Sequence, residues 1–295
     1  MSLMVIVFCL IAERFLLEHQ HLRQMHWLDR YSLWLSQQKY VAWMNQGIMQ
    51  ILILLLPPLL VAGILQQLFS DGLFGLLSVI FAGLVLLYTL GPEDLDSRIE
   101  AYTQSTEEDD DESIKSIARE IIEDEPPTSE PARSQAVAEG TLFQANRRIF
   151  AVLFWFLLLG PLGALLYRLA TRLPLLERAN KDLDFHLSAG QLIIILDWLP
   201  ARITALCYAI AGSFEDALYG WRSFQDRRFD DFNDSNSGIL ICTGAGAMRL
   251  TTLLDETEES AHDYCHLPQA AMALVWRSLV VFLIIVAILT FTGVF

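Results

Sequence analysis

Residues 191–212 read QLIIILDWLPARITALCYAIAG, and these twenty-two side chains decide the fold class. At about 1.5 Å of rise per residue the stretch is long enough to cross a hydrocarbon core of about 30 Å. It nevertheless contains Asp197 and Arg202, with Pro200 between them. A charge near the centre of a spanning helix costs roughly 2.5 to 3.5 kcal/mol, so both side chains are expected to face protein or water rather than lipid. Pro200 has no backbone N–H to donate and frees an acceptor one turn earlier, near Leu196. Two readings of the charges stand side by side: an internal ion pair that fixes packing, and a functional site.

The remainder of the chain is read outward from this segment. Of the 295 residues 54% are hydrophobic, and further apolar runs lie at 46–68, 72–91, 149–170 and 272–295. The pattern predicts an all-α polytopic membrane protein of about four to five transmembrane helices, with an N-terminal apolar and interfacial helix in addition. The formal charge of −15 is concentrated in one loop, and the lack of a basic surface argues against a nucleic-acid partner. Cys9, Cys207, Cys242 and Cys265 have no close spacing, so they form neither a zinc pattern nor a disulfide framework. The opening MSLMVIVFCLIAER has no basic start and no small-residue cleavage site, and is expected to be retained.

Residues 1–45 divide into an apolar run, the boundary charges Glu13 and Arg14, and a stripe of His19, Arg23, His26 and Arg30 at helical spacing. Trp27, Tyr31 and Trp34 line another face. Cations beside aromatics suit a helix at the headgroup level that binds membrane lipid, or a site for an anionic ligand. Within residues 1–45 no HxxxH pair is present, so a metal site there would need distant segments, and this stretch names neither metal ligands nor a cofactor. Residues 46–91 read as a transmembrane hairpin kinked at Pro57 and Pro58, its short turn free of Lys and Arg and hence periplasmic.

Residues 92–148 change character. From Glu93 to Arg148 sixteen acidic residues face six basic ones, EEDDDE at 107–112 must be solvated, and PPTSEP at 126–131 reads as a linker. Ile114, Ile117, Ala118, Ile121 and Ile122 keep helical spacing, so a short amphipathic helix is expected within this cytoplasmic loop. Its apolar face needs a partner, in this chain or in another protein.

Residues 149–212 are the core membrane segments, broken at Pro161 and Pro200. The run 149–170 is either a kinked span or a re-entrant hairpin, and simple alternation would put Arg172, Arg178 and Lys181 on the periplasmic side, against the positive-inside rule. Residues 213–271 are expected to be mostly cytoplasmic and helical. Their ICTGAGAMRL run lacks a Walker lysine and is better suited to close helix packing than to phosphate. Residues 272–295 form a C-terminal span.

Two motifs carry a resemblance. NRRIFAVLFWFLLLGPLGALLYRL at 146–169 together with LDWLPARITALCYAIAG at 196–212 resembles the AmpE proteins of Gram-negative bacteria, as does GPEDLDSRIEAY at 91–102. That family implies a multi-pass protein of the bacterial inner membrane linked to inducible β-lactamase. AmpE proteins are in turn similar to the CobD/CbiB membrane enzymes of cobalamin synthesis, which join an aminopropanol or its phosphate to cobyric acid using ATP. Leu199, Pro200, Ala201, Arg202 and Ile203 match that family's LPARL-type motif, and Phe154 to Gly160 match its phenylalanine-rich span. Its AENTVDG-like run is replaced by Phe143, Gln144 and Arg147, its DSMVGYK-like run has no counterpart, and its N-terminal motif is reduced to Glu13 and His26.

Ligase chemistry needs acidic metal ligands and a nucleotide site. The resemblance therefore implies a CobD/CbiB scaffold with degraded ligase motifs, a sensing or signalling role, and no catalytic residues. The candidate ligand-binding residues are Glu13, His26, Arg147, Arg148, Arg168, Asp197, Trp198 and Arg202, the arginines gripping an anionic small molecule and Asp197 orienting Arg202. A protein partner at the cytoplasmic loops is a further expectation. The alternative is an ATP- or metal-dependent amide-forming synthase acting on a corrinoid-like or membrane-associated substrate.

Overall fold

The computed structural model describes residues 5–10, 26–36, 47–70, 75–90, 95–108, 110–176, 182–226, 235–250, 264 and 266–292. Glu13, the turn at 71–74, Arg178, Lys181 and the acidic patch at 255–259 lie outside the described residues, as does most of the RRFDDFNDSNSG stretch. The protein is an all-α polytopic membrane protein. The helices are α1 (His26–Ser36), α2 (Gly47–Ser70), α3 (Gly75–Thr89), α4 (Leu95–Glu107), α5 (Asp111–Ile122) and α6 (Glu130–Ala145). They continue as α7 (Ala151–Leu159), α8 (Pro161–Arg172), α9 (Leu183–Ala211), α10 (Phe214–Asp226), α11 (Ser235–Ala247) and α12 (His266–Phe291). Among the described residues four stretches are long and apolar enough to span a bilayer: Gly47–Phe69, Glu130–Leu159, Leu183–Ala211 and His266–Phe291. Leu77–Thr89 is a shorter apolar helix.

The chain forms two compact units. The first takes residues 1–92 and 151–197, the second residues 93–150 and 198–294. In the first, Leu54, Leu55, Leu169, Leu173 and Phe185 form the centre of the core, and Leu28 and Leu35 fix α1 to it. Gly47 allows close helix approach, because a Cβ there would sit 2.3 Å from the Asp184 carbonyl oxygen. Outward, Leu52, Leu56, Leu60, Ile64 and Leu68 of α2 are exposed at four-residue spacing, the stripe expected of a lipid-facing helix.

The break at Gly160 and Pro161 is a hairpin. Gly160 has φ +68°, a conformation open to glycine, and Pro161 starts α8 where its missing N–H costs nothing. A Cβ on Gly163 would come within 2.1 Å of the Trp155 carbonyl oxygen, so α8 runs back directly against α7. After twelve residues, about 18 Å of rise, Arg168 and Arg172 are back at the end of the hairpin where Ala151 entered. The run 149–170 is therefore two helices folded back on each other at Gly160 and Pro161.

In the second unit the amphipathic helix is α5. Asp110 caps it, accepting from the Ser113 hydroxyl at 2.6 Å, and Arg119 lies in its last turn. Its apolar face is covered within this chain: Ile114, Ala118 and Ile121 pack with Ile99 and Tyr102 of α4 and Val137 of α6. The segment from 126 is a linker only to Ser129, for α6 begins at Glu130 with Pro131 in its first turn, well before the apolar run at 149. α6 joins α7 through a π-helical segment, Asn146–Phe150. The small-residue run is a packing surface. Cβ atoms at Gly220 and Gly246 would meet the carbonyl oxygens of Cys242 and Asp216 at 2.1 and 2.3 Å, so α10 and α11 lie backbone to backbone, antiparallel.

Candidate functional site

Polar side chains inside the second unit converge from α6, the π segment, the last part of α9 and α11. Thr204 and Asn146 are fully buried, and the Thr204 hydroxyl donates to Asn146 Oδ1 at 2.9 Å. One turn further along α9 the Tyr208 hydroxyl donates to the Leu142 carbonyl at 2.8 Å, so α9 and α6 run antiparallel here. Phe150 closes one side of this layer, meeting the rings of Tyr208 and Phe282 edge-on. On α11, Asn236 and Thr243 are buried two turns apart on one face. Among the described residues Asn146 Nδ2 and Thr243 Oγ1 have no hydrogen-bond partner. A buried polar atom left unpaired costs about 1–3 kcal/mol, so such atoms normally bind water or a ligand.

Three arginines adjoin this seam. Arg202 donates to the Trp198 carbonyl at 2.6 Å and to Asn236 Oδ1 at 3.3 Å, while its guanidinium lies 4.1 Å from the Trp198 ring centre. Trp198 is 52% exposed, so the pair is open on one side. The π segment carries the other two. A π bulge places one extra residue in the turn and recurs at functional sites. Arg147 lies over the Phe143 ring at 4.4 Å and faces Glu123 at 3.7 Å, and Arg148 Nε donates to Gln144 Oε1 at 3.2 Å.

The first unit holds the acidic member. Asp197 is 0% exposed and accepts from the Tyr167 hydroxyl at 2.5 Å, and Arg168, the next residue on α8, is also buried. The Leu196 carbonyl freed by Pro200 accepts from the Trp155 indole N–H at 3.1 Å, so this tryptophan repairs the proline break. Among the described residues no three His, Cys, Asp or Glu side chains gather as a metal-binding group.

A model of the family described as regulatory signalling modulator protein AmpE matches residues 1–295. The chain belongs to the AmpE family. It is also similar to a cobalamin biosynthesis protein CobD of Chromobacterium violaceum, 32% identical over 180 residues, which cover 59% of this chain and 55% of the relative. A second CobD protein, of Stutzerimonas stutzeri, is 29% identical over 210 residues, 70% of this chain and 66% of the relative. The chain thus spans 55% and 66% of the length of these curated relatives. No solved structure matches it.

In this AmpE-family chain the expected residues fall in both units. Trp198 and Arg202 come together, Arg147 and Arg148 share the π segment, and Asp197 and Arg168 belong to the first unit. Asn236 and the Trp198 ring both lie against Arg202. His26 opens α1, its side chain outside the described ones, and Glu13 is outside them entirely. Sequence reasoning passed over Asn146, Thr204, Asn236, Thr243 and Tyr167. The available signal was uncharged polar residues inside apolar stretches, Thr204 within 196–212 above all.

Proposed function

We propose that this AmpE-family membrane protein is a ligand-sensing component associated with β-lactamase induction and cell-wall recycling, and that its polar seam binds a small anionic molecule. The buried Asn146 amide, whose nitrogen has no partner among the described residues, is the observation that carries the reading. It offers a donor inside the unit, and Arg147, Arg148 and Arg202 supply the positive charge that an anion requires. The family description supports the signalling part. Location in the bacterial inner membrane belongs to the same reading.

Native mass spectrometry of the gently solubilised protein tests it, comparing wild type with Asn146→Leu and Arg202→Ala. A small anionic adduct on the wild type, lost from both variants, is the expected result. An empty wild type with unchanged variants would return these residues to packing alone. In cells, Asn146→Leu is expected to alter β-lactamase induction while protein abundance is unchanged.

The similarity to proteins named for cobalamin biosynthesis favours a second reading, an ATP- or metal-dependent amide-forming synthase acting on a corrinoid-like or membrane-associated substrate. Turnover requiring Mg²⁺ and ATP, and abolished in Asp197→Asn, would decide for it.

A further inference from the structure

We propose that the first unit holds one anionic phospholipid, its phosphate on Arg30 and one acyl chain in the groove between α1, α2 and α3. The site uses no residue of the polar seam and stands independently of the proposed function.

The groove has a volume of about 410 Å³, and its walls include Trp27, Tyr31, Pro57, Val61, Leu65 and Phe81. All are apolar or aromatic, so it offers an occupant dispersion contacts and almost no hydrogen bonds. From Pro57 to Leu65 it follows α2 for about 12 Å, most of the roughly 15 Å hydrocarbon depth of one leaflet. The paired prolines remove two backbone donors from α2 at this level, and α1 lies alongside. Because α2 is a membrane span with only 22% of its apolar window buried in protein, lipid chains are the molecules in contact with this face.

The α1 end of the groove has the features of a headgroup site. The Trp27 indole N–H donates to the Tyr88 hydroxyl at 2.8 Å, tying α1 to α3 one turn beyond the groove residue Val85. Trp27, Tyr31 and Trp34 form a continuous aromatic ladder with ring centres 6.5 and 6.3 Å apart. Trp34 is 57% exposed, as suits a ring at the membrane interface. Arg30 lies on the adjoining face of α1, within about one turn of both Trp27 and Trp34, is exposed, and has no ion-pair partner among the described residues. An exposed guanidinium within a turn of interfacial indoles, on the helix that walls an acyl-sized slot, matches a phosphodiester with a hydrocarbon tail.

The test is native mass spectrometry of the delipidated full chain titrated with phosphatidylglycerol or phosphatidylcholine. The wild type is expected to take up one phosphatidylglycerol in preference to phosphatidylcholine, by about fivefold for a single surface arginine. Arg30→Gln is expected to erase that preference while leaving uptake of phosphatidylcholine unchanged. Val61→Trp, which places an indole in the groove, is expected to reduce adducts of both lipids. Both positions are exposed, and Leu65→Trp at the far end of the groove replaces Val61→Trp should that variant fold poorly by circular dichroism. Equal uptake of the two lipids by the wild type, a preference that survives Arg30→Gln, or adducts unaffected by the groove-filling variant would each overturn the proposal. So would dimer masses in place of lipid adducts, which would make the groove a contact between copies.

Discussion

In the first unit the buried polar side chains are Ser32, Gln50, Thr89, Arg168 and Asp197, set among leucines, with α2 turning its apolar stripe outward. In the second they are Arg133, Ser134, Thr141, Gln144, Asn146, Thr204, Asn236, Thr243 and Ser278. The first unit thus concentrates its polar chemistry on few side chains, one of them a carboxyl group deep in a spanning helix. The second, Arg133 apart, spreads uncharged amides and hydroxyls through its interior. Charge in a bilayer is costly and needs particular partners, whereas neutral polar groups are affordable wherever neighbouring helices bring matching ones. The difference leaves the first unit with a mostly apolar interior and the second with a network of mostly neutral polar groups.

The comparison is most severely tested at the hairpin. Gly163→Val should cost about 3 kcal/mol or more, because its side chain would collide with the Trp155 backbone and rotamer changes cannot relieve that. Thermal melting in detergent should show a large fall in the midpoint, and an unchanged melt would mean that α7 and α8 do not pack this closely.

Next come two hydroxyl deletions, one in each unit. Tyr167→Phe removes a donor from the buried Asp197 and is expected to cost about 1.5–3 kcal/mol. Tyr208→Phe removes a donor from the neutral Leu142 carbonyl and should cost about 1 kcal/mol. If the two changes are equal in chemical denaturation, the carboxyl group carries no special weight in the first unit.

The Asn146–Thr204 pair sharpens the picture within the second unit. Asn146→Leu alone strands the Thr204 hydroxyl and should cost about 1–3 kcal/mol, while Asn146→Leu with Thr204→Val together should cost less than the sum of the single changes. A double-mutant cycle showing simple additivity would mean that the two side chains do not act as a unit.

The smallest effect is a pH dependence. The Ser213 hydroxyl, and then the Arg249 guanidinium, hold the Asp216 carboxyl below the usual carboxylate range. A depressed folded-state value means that the stabilisation is present above the unfolded value of about 3.9 and is lost as the pH falls through the folded value. Asp216 lies at the surface with its side chain 47% exposed, so Ser213→Ala should change the melt only slightly at neutral pH, and that difference should vanish in strong acid. A difference that grew with acidification would have the wrong sign.

Sequence and structure agree most closely around Pro200. The proline predicts a freed acceptor near Leu196, and the Leu196 carbonyl is the group that takes the Trp155 indole N–H. The helix centred on 114–122 was equally readable, since isoleucines at helical spacing in an acidic loop admit one buried face. α6 was not. Its sequence EPARSQAVAEGTLFQA gives little apolar contrast, and it is helical and buried because α4, α5, α11 and α12 supply neighbours for its small and polar side chains.

The sequence by itself determined that the chain is helical, that it crosses a membrane, and that charges inside 191–212 must turn away from lipid. These follow from segment length, hydropathy and the cost of an exposed charge, which are properties of one segment at a time. Only the tertiary structure decided that 149–170 doubles back, that Arg202 meets Asn236, and that the Asn146 nitrogen is left without a partner among the described residues. Those outcomes depend on which helices approach within hydrogen-bond distance. An uncharged polar side chain takes its meaning from the neighbours that folding supplies.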